Sequence, residues 1–314
     1  MLFITSIFLM PTTCAVDLDN NLNERQKKEL TYYGPEKESM SAAKPDKEDG
    51  MAKPTPQQLM FLELELGLFI HFGLSTYTGQ VSGDGKQPAS MFNPSELDCE
   101  EWMEVAKTMG ARYAVLTARH EGGFCNWQTK TTDYCVKNSP WLNGEGDVVR
   151  EFVDACRRYG IKVGLYHTAS HDAHHRQLLS TEEYTNVQVE QITELMTNYG
   201  IIDYLWFDHH SGDKLWRSVD TRVRQLQPDC VIFGIDSWIT GGHSGRATYP
   251  LWYAVNTTDG TIYSRPINSS GQPDGMFFRA WEANSSIKGN WFCGPRVKSV
   301  NDMIDMYYKS VGRG

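Results

Sequence analysis

The sequence lacks several features that would place it quickly in a common class of protein. No apolar run reaches the roughly 20 residues that a helix needs to cross a bilayer, which excludes a membrane-spanning helix. Acidic residues outnumber basic ones by 39 to 30, and a net charge of −9 argues against nucleic acid as a partner. The seven cysteines contain no CxxC pair, so no disulfide scaffold is indicated. No strand pattern is followed by GxGxxG or GxxxxGKS/T, the common phosphate-binding loops.

The first 55 residues differ from the rest of the chain. A short apolar block at 2–10 is followed by small residues up to Ala15, and this predicts a signal peptide over residues 1–15. Residues 16–55 are polar and rich in Lys and Glu, which predicts a weakly ordered lead-in. Three glycosylation sequons, at Asn256, Asn268 and Asn284, suit an exported glycoprotein. We therefore expect a secreted or otherwise exported protein, in an extracellular, periplasmic or lysosomal location.

From residue 64 onward, apolar runs alternate with helical patterns. Strands are predicted at 66–73, 113–120, 162–167, 201–210, 230–234 and 276–281, and helices at 97–109, 147–159, 181–199, 215–226 and 297–311. This alternation is typical of βαβ units on a parallel sheet, and so of an α/β protein. Polar residues stand at most strand ends, namely His71, His120, Glu121, His167, Asp208, His209, Asp236 and Glu282. In a barrel these ends surround one mouth, so we predict a (β/α)8-like (TIM-type) barrel over 56–314 in which the pattern of the last strand is missing.

The convergence of titratable groups at strand ends indicates a functional site, because charges gathered in a core without a purpose are costly. Carboxylates, histidines and aromatic rings together suit glycoside hydrolysis. A metal-dependent hydrolase is the rival hypothesis, since His167, His171 and the Asp172–His175 segment offer zinc ligands. Residues 171–176 read as a solvated loop, however, and we predict no metal and no cofactor.

Several ordered motifs resemble the retaining α-L-fucosidases of the glycoside hydrolases, and most closely the branch acting on α-1,3/1,4-linked fucose. They are GLFIHFG at 67–73, TARHEGGFCNW at 117–127, KNSPW at 137–141, GDVV at 146–149 and WFD at 206–208. The resemblance runs from about residue 60 to Gly314. It implies a barrel-type catalytic domain, here without the β-sandwich that usually follows in the family. It also implies a fucosylated oligosaccharide or glycoconjugate as substrate.

The resemblance also implies roles for individual residues. Asp208 corresponds to the nucleophile, which forms a covalent glycosyl-enzyme. His71 and His120 correspond to ligands of the fucose hydroxyls, and Trp127 and Trp291 to aromatic residues of the sugar pocket. The remaining candidate sugar ligands are Glu121, His167 and His209, while Glu282 corresponds to an acidic residue at a late strand end.

Three positions depart from the family pattern. Glu121 replaces a sugar-binding histidine, His209 replaces the glycine after the nucleophile, and His243 stands in place of the acid/base glutamate. The acid/base is therefore His243, Glu282 or Glu121. We predict an exo-glycosidase that removes terminal α-L-fucosyl residues, or those of a closely related deoxy or L-sugar. A catalytically impaired, sugar-binding relative is the alternative.

Overall fold

The computed structural model describes residues 51–209, 213–256 and 268–313. The helices are α1 (Pro56–Glu63), α2 (Leu74–Thr78), α3 (Cys99–Thr108), α4 (Val148–Tyr159), α5 (Thr181–Asn198), α6 (Asp213–Leu226) and α7 (Val300–Tyr308). The strands are β1 (Gly67–Ile70), β2 (Tyr113–Arg119), β3 (Lys162–Thr168), β4 (Tyr204–Asp208), β5 (Val231–Ile232), β6 (Ser237–Ile239), β7 (Ala254–Val255), β8 (Phe277–Phe278) and β9 (Ala280–Glu282). The predicted signal peptide and most of the predicted lead-in lie outside the described residues.

The helices begin where short polar side chains satisfy free backbone amides. Asp98 caps α3 by accepting hydrogen bonds from two amides, and Asp147 caps α4 by accepting one from Arg150. Ser180 forms a reciprocal capping box with Glu183 at the start of α5. Such caps stabilise a helix by about 1 kcal/mol each. Their positions explain why α3, α4 and α5 fall on the segments that the sequence predicts.

The first five strands form one parallel sheet in the order β1-β2-β3-β4-β5. Alternate residues face opposite layers, as in β4, where Leu205 and Phe207 pack in the outer core and Tyr204 and Trp206 in the inner core. The strands are therefore buried on both faces, which is expected of a parallel sheet covered by helices. This arrangement confirms the predicted α/β class.

Ring contacts across the sheet show that it curls into a barrel. Phe69 of β1 and Trp206 of β4 have ring centroids only 4.8 Å apart. In a flat sheet, strands three positions apart would be separated by about 14 Å. Strand β6 pairs in parallel with β9 beyond the five-stranded sheet, and Trp238 of β6 stacks on Phe233. The architecture is the predicted (β/α)8-like barrel.

The structure differs from the sequence-based elements chiefly in its later part, where β6 and β7 were not predicted. The strand predicted at 276–281 is two short strands, because β8 pairs antiparallel with β7 whereas β9 pairs with β6. The helix predicted at 297–311 begins at Val300, since the Ser299 side chain accepts a hydrogen bond from the Asp302 amide and caps it. Within the described ranges, no helix has the length and apolar character to cross a membrane.

Candidate active site

Asp208 ends strand β4 and lies at the mouth of the barrel. The Tyr166 hydroxyl donates a hydrogen bond to Oδ2 at 3.0 Å, and the backbone amide of His209 donates one to Oδ1 at 2.8 Å. Burial raises the pKa of Tyr166 well above its usual value, so its hydroxyl stays protonated and remains a donor. The Asp208 side chain is 30% exposed. The carboxylate is therefore held in one orientation while a ligand at the mouth can reach it.

His209 and Glu121, two of the departures from the family pattern, are in direct contact. Nε2 of His209 lies 2.8 Å from Oε1 of Glu121 and 3.2 Å from Oδ2 of Asp208. Burial opposes ionisation of both partners. The hydrogen bonds from His209 and Ser82 nevertheless lower the pKa of Glu121 to about 2, and the bond to Glu121 raises the pKa of His209. A single ring nitrogen of His209 therefore bridges the two carboxylates.

His71 and His120 face the same mouth from the ends of β1 and β2. Their ring centroids lie 5.7 Å apart, and the His120 ring stacks on Tyr166 at 5.2 Å. Burial lowers the pKa of His120 to about 4 and that of His71 well below its usual value, so both rings are neutral. The Nδ1 atoms of both are buried and have no hydrogen-bond partner within the described part of the chain. Each ring therefore keeps one unsatisfied polar atom close to the mouth.

Aromatic side chains wall this pocket on one side. Trp291 stacks on His71 with ring centroids 5.0 Å apart and planes inclined by 22°. Phe292 presents its edge to both His71 and His120. The structure thus places Trp291 against His71, and its role as a sugar contact stays a prediction. Phe292 and Tyr166 also line the site and were not predicted, because the sequence does not show which side chains of β3 face inward.

His243 lies at the rim of the pocket beside Trp291. Its Nδ1 is 2.7 Å from Oδ1 of Asn284, and its ring meets Trp291 edge to face at 5.0 Å. Because the carboxamide oxygen accepts, Nδ1 carries a proton and Nε2 remains open for acid/base exchange. The charge of His243 also contributes to the lowered pKa of His71. The geometry therefore places His243 with the sugar-ligand candidates.

Glu282 is buried far more deeply than the other acid/base candidates. It is 1% exposed, and its Oε1 accepts a hydrogen bond from the Tyr204 hydroxyl at 2.6 Å. Tyr204 begins strand β4, whereas Asp208 ends it. Burial raises the pKa of Glu282 to about 8, so the carboxyl is protonated at neutral pH. Glu282 therefore contacts β4 at the end of the strand that is farther from Asp208.

Two predicted sugar ligands lie outside the barrel, and their assignment was wrong. Trp127 is fully buried and donates a hydrogen bond from Nε1 to Glu194 of α5 at 2.9 Å. His167 is also fully buried, with Nε2 3.0 Å from Oε1 of Gln191 on the same helix. His167 faces outward because its neighbour in β3, Tyr166, faces inward. Neither side chain is accessible to a sugar at the mouth.

The remaining polar residues of the prediction have structural partners. Asp236 binds the Arg224 guanidinium at 2.5 Å and the Ile232 amide at 2.7 Å. Of the proposed zinc-binding segment, Asp172 and His175 bond to each other at 2.8 Å. The set His167, His171 and His175 is therefore divided between different layers of the fold.

Comparison with known proteins agrees with this geometry. A family model described as alpha-L-fucosidase matches residues 85–314. Alpha-L-fucosidase 1 of Arabidopsis thaliana is 36% identical over 292 residues, covering 88% of this chain and 57% of that protein. The chain thus spans little more than half the length of the curated relatives it matches.

Solved structures show the same fold. A glycoside hydrolase 29 family member from an unknown rumen bacterium is 36% identical, with a TM-score of 0.76 over 83% of this chain and 51% of that one. A Ruminococcus gnavus GH29 fucosidase in complex with fucose is 24% identical, with a TM-score of 0.71 over 83% of this chain and 61% of that one.

Proposed function

Because the chain belongs to the alpha-L-fucosidase family, we propose that it is a retaining exo-glycosidase that removes terminal α-L-fucosyl residues from oligosaccharides or glycoconjugates. Residues of a closely related deoxy or L-sugar fit the same proposal. The observation that carries it is the Asp208 carboxylate, which Tyr166 and the His209 amide hold beside the His120 ring that stacks on Tyr166. The Ruminococcus gnavus relative, which holds fucose, supports this choice of sugar.

The proposed mechanism has two displacements at the anomeric carbon. An Asp208 oxygen attacks that carbon while the glycosidic C–O bond breaks and the leaving oxygen takes a proton from the acid. The same group then accepts a proton from water, which displaces Asp208 and releases the sugar with its configuration retained. His71 and His120 would bind the sugar hydroxyls, and Trp291 would cover the sugar's apolar face.

We assign the acid/base role to His243. Its Nε2 is open, its Nδ1 is fixed by Asn284, and it borders the pocket at Trp291. Glu121 is the second candidate, because a single His209 nitrogen bridges it to Asp208, so the two bridged oxygens lie at most about 6 Å apart, a limit that includes the separation in retaining enzymes. Its pKa of about 2 leaves it ionised at neutral pH, so it has no proton to give the leaving oxygen. Glu282 is protonated but contacts Tyr204 at the far end of β4.

The test compares three substrates: 4-nitrophenyl α-L-fucoside, its 2-chloro-4-nitrophenyl analogue and an unactivated fucosyl oligosaccharide. We expect Asp208→Ala to abolish hydrolysis of all three. His243→Ala should lower kcat/KM on the oligosaccharide by about 10²–10⁴-fold, with a much smaller loss on the activated glycosides, whose leaving groups hardly need a proton. The same pattern in Glu121→Gln, rather than in His243→Ala, would move the acid/base role to Glu121.

The alternative function is sugar binding without turnover, favoured by the absence of a glutamate at His243. It predicts that a folded wild-type protein binds L-fucose yet hydrolyses none of the three substrates. That result would overturn the enzyme proposal.

We also propose that the protein is exported and glycosylated at Asn268. Asn268 is exposed, whereas Asn284 is 1% exposed and bonded to His243. The folded protein therefore leaves no room for a glycan at Asn284, contrary to the expectation from the sequence, which counted all three sequons. After expression in a eukaryotic secretory host, Asn268→Gln should remove an endoglycosidase-sensitive shift in gel mobility. Asn284→Gln should leave that shift unchanged, and an intact shift in Asn268→Gln would contradict the assignment.

A further inference from the structure

Three candidate metal ligands meet beside the proposed nucleophile. Glu121, His171 and His209 each offer one ligand atom, and these atoms lie within 4.8 Å of one another. They follow β2, β3 and β4 in the chain, so three adjacent strands deliver them to one edge of the mouth. The sequence already indicated His171 as a candidate zinc ligand, but its neighbours in the structure differ from the ligands predicted with it.

His171 has no part in the proposed chemistry, yet its position is fixed. Its ring stacks on His209 with centroids 4.1 Å apart and planes inclined by 27°. Its carbonyl oxygen accepts a hydrogen bond from Thr168, and the next residue, Asp172, pairs with the buried guanidinium of Arg119 at 3.1 Å. The loop is thus anchored immediately on both sides of the exposed imidazole.

We propose that Glu121, His171 and His209 bind a divalent metal ion of the zinc type. Two imidazoles and one carboxylate are a ligand set that zinc uses, with metal–ligand distances of about 2.0–2.2 Å. The ion replaces the proton that Glu121 and His209 share, and that proton passes to the buffer. Glu121 and His209 are already 2.8 Å apart, and the His171 ring turns out of its stack on His209 to direct a nitrogen lone pair at the ion.

The position of Asp208 gives the ion a consequence, which rests on the function proposed above. Oδ2 of Asp208 lies 3.2 Å from the same His209 nitrogen. An ion bound to that nitrogen therefore lies at the mouth beside the carboxylate that the anomeric carbon must reach. Because the ion and the sugar compete for this space, zinc is a competitive inhibitor and not a cofactor.

Binding is tested first, without reference to activity. Zinc chloride is titrated into the metal-free full-length chain by isothermal calorimetry for wild type, His171→Ala and His174→Ala. His174 lies in the same loop but stacks on Tyr134 and bonds to the Gly85 carbonyl, so it is the matched control. We expect one ion per wild-type chain, at least tenfold weaker binding in His171→Ala and unchanged binding in His174→Ala. No binding to wild type, or equal binding in His171→Ala, overturns the site.

Inhibition is tested second, with 4-nitrophenyl α-L-fucoside. Zinc should raise the apparent KM of wild type without changing kcat, and His171→Ala should keep wild-type activity while requiring at least tenfold more zinc for the same effect. Tight binding with unchanged kinetics would support the site and overturn the inhibitory role. If no fucoside is hydrolysed at all, the proposed function fails, whereas the calorimetry still decides the metal site.

Discussion

Glu121 and His209 illustrate how two departures from a family pattern compensate each other. Each alone would place a charge in a half-buried site, and an unpaired charge there costs free energy of folding. Together they form a 2.8 Å contact that lowers the pKa of Glu121 to about 2 against the effect of burial. The sequence reveals both substitutions but not their contact, because 88 positions separate them in the chain.

His167 and Tyr166 show how one position in a strand decides between site and core. A histidine at a strand end was a reasonable candidate ligand, yet side chains alternate across the sheet. Tyr166 faces Asp208, so His167 faces helix α5. Which residues of the strand face the barrel interior depends on which side of the sheet the helices cover. The local sequence does not specify this when both faces of the strand are apolar.

Glu282 gives a prediction at the scale of one residue. Its folded-state pKa of about 8 lies above the unfolded value, so the folded state holds a proton that the unfolded state loses. The free energy of unfolding should therefore fall as pH rises from about 4.5 to 8, by up to about 1.4 kcal/mol per pH unit. Glu282→Gln cannot ionise and should lack this loss.

Urea denaturation at pH 5, 6.5 and 8 measures the effect. The stability of Glu282→Gln relative to wild type should increase across the series. Glu63→Gln, at an exposed position of α1, is the control, and its free energy of unfolding should change with pH as that of wild type does. Parallel curves for Glu282→Gln and wild type would show that Glu282 keeps an ordinary pKa.

At the scale of elements, a buried ion pair anchors the loop after β3. Arg119 at the end of β2 pairs with Asp172, which also bonds to His175, and all three side chains are at most 5% exposed. Arg119 donates a further hydrogen bond to the Thr168 carbonyl at 2.8 Å. The pair thereby ties the ends of two neighbouring strands and sets the position of His171.

Removal of this pair should destabilise the protein strongly. Asp172→Ala leaves the Arg119 guanidinium buried without its counter-charge, and breaking such a pair costs about 3–5 kcal/mol. Asp133→Ala removes an exposed carboxylate that pairs with Lys137, and this should change stability by less than about 0.5 kcal/mol. Chemical denaturation of both variants measures the difference. Similar losses in the two would contradict the structural role of Asp172.

At the scale of the whole molecule, the curvature of the barrel sheet assembles the site from distant segments. His71, Asp208 and Trp291 share one pocket, although 220 positions separate the first from the last. A sugar that binds all of them binds only the folded state. It must therefore stabilise folding by mass action.

L-Fucose should raise the melting temperature. At 100 times its dissociation constant a ligand contributes about 2.7 kcal/mol, which corresponds to roughly 4–5 °C for a domain of this size. Asp208→Ala should retain the shift, because the histidines that bind the hydroxyls are intact, whereas His71→Ala should reduce it. D-Fucose, the enantiomer, is the control in differential scanning fluorimetry. Equal shifts with both enantiomers would show that the pocket does not select an L-sugar.

The sequence by itself determined the alternation of strands and helices, the barrel class and the identity of Asp208, His71, His120 and Trp291 as candidates. These features are local, since periodicity, capping residues and short motifs are written in neighbouring positions. The sequence also exposed the departures at Glu121, His209 and His243.

Only the tertiary structure decided how those candidates are arranged. Trp127 and His167 pack in the outer core, and Glu282 is buried beneath the mouth. Glu121, His171 and His209 lie together beside the nucleophile. Such contacts depend on the curvature of the sheet and on which face of each strand turns inward. Both are set by packing between segments far apart in the chain, which no local pattern records.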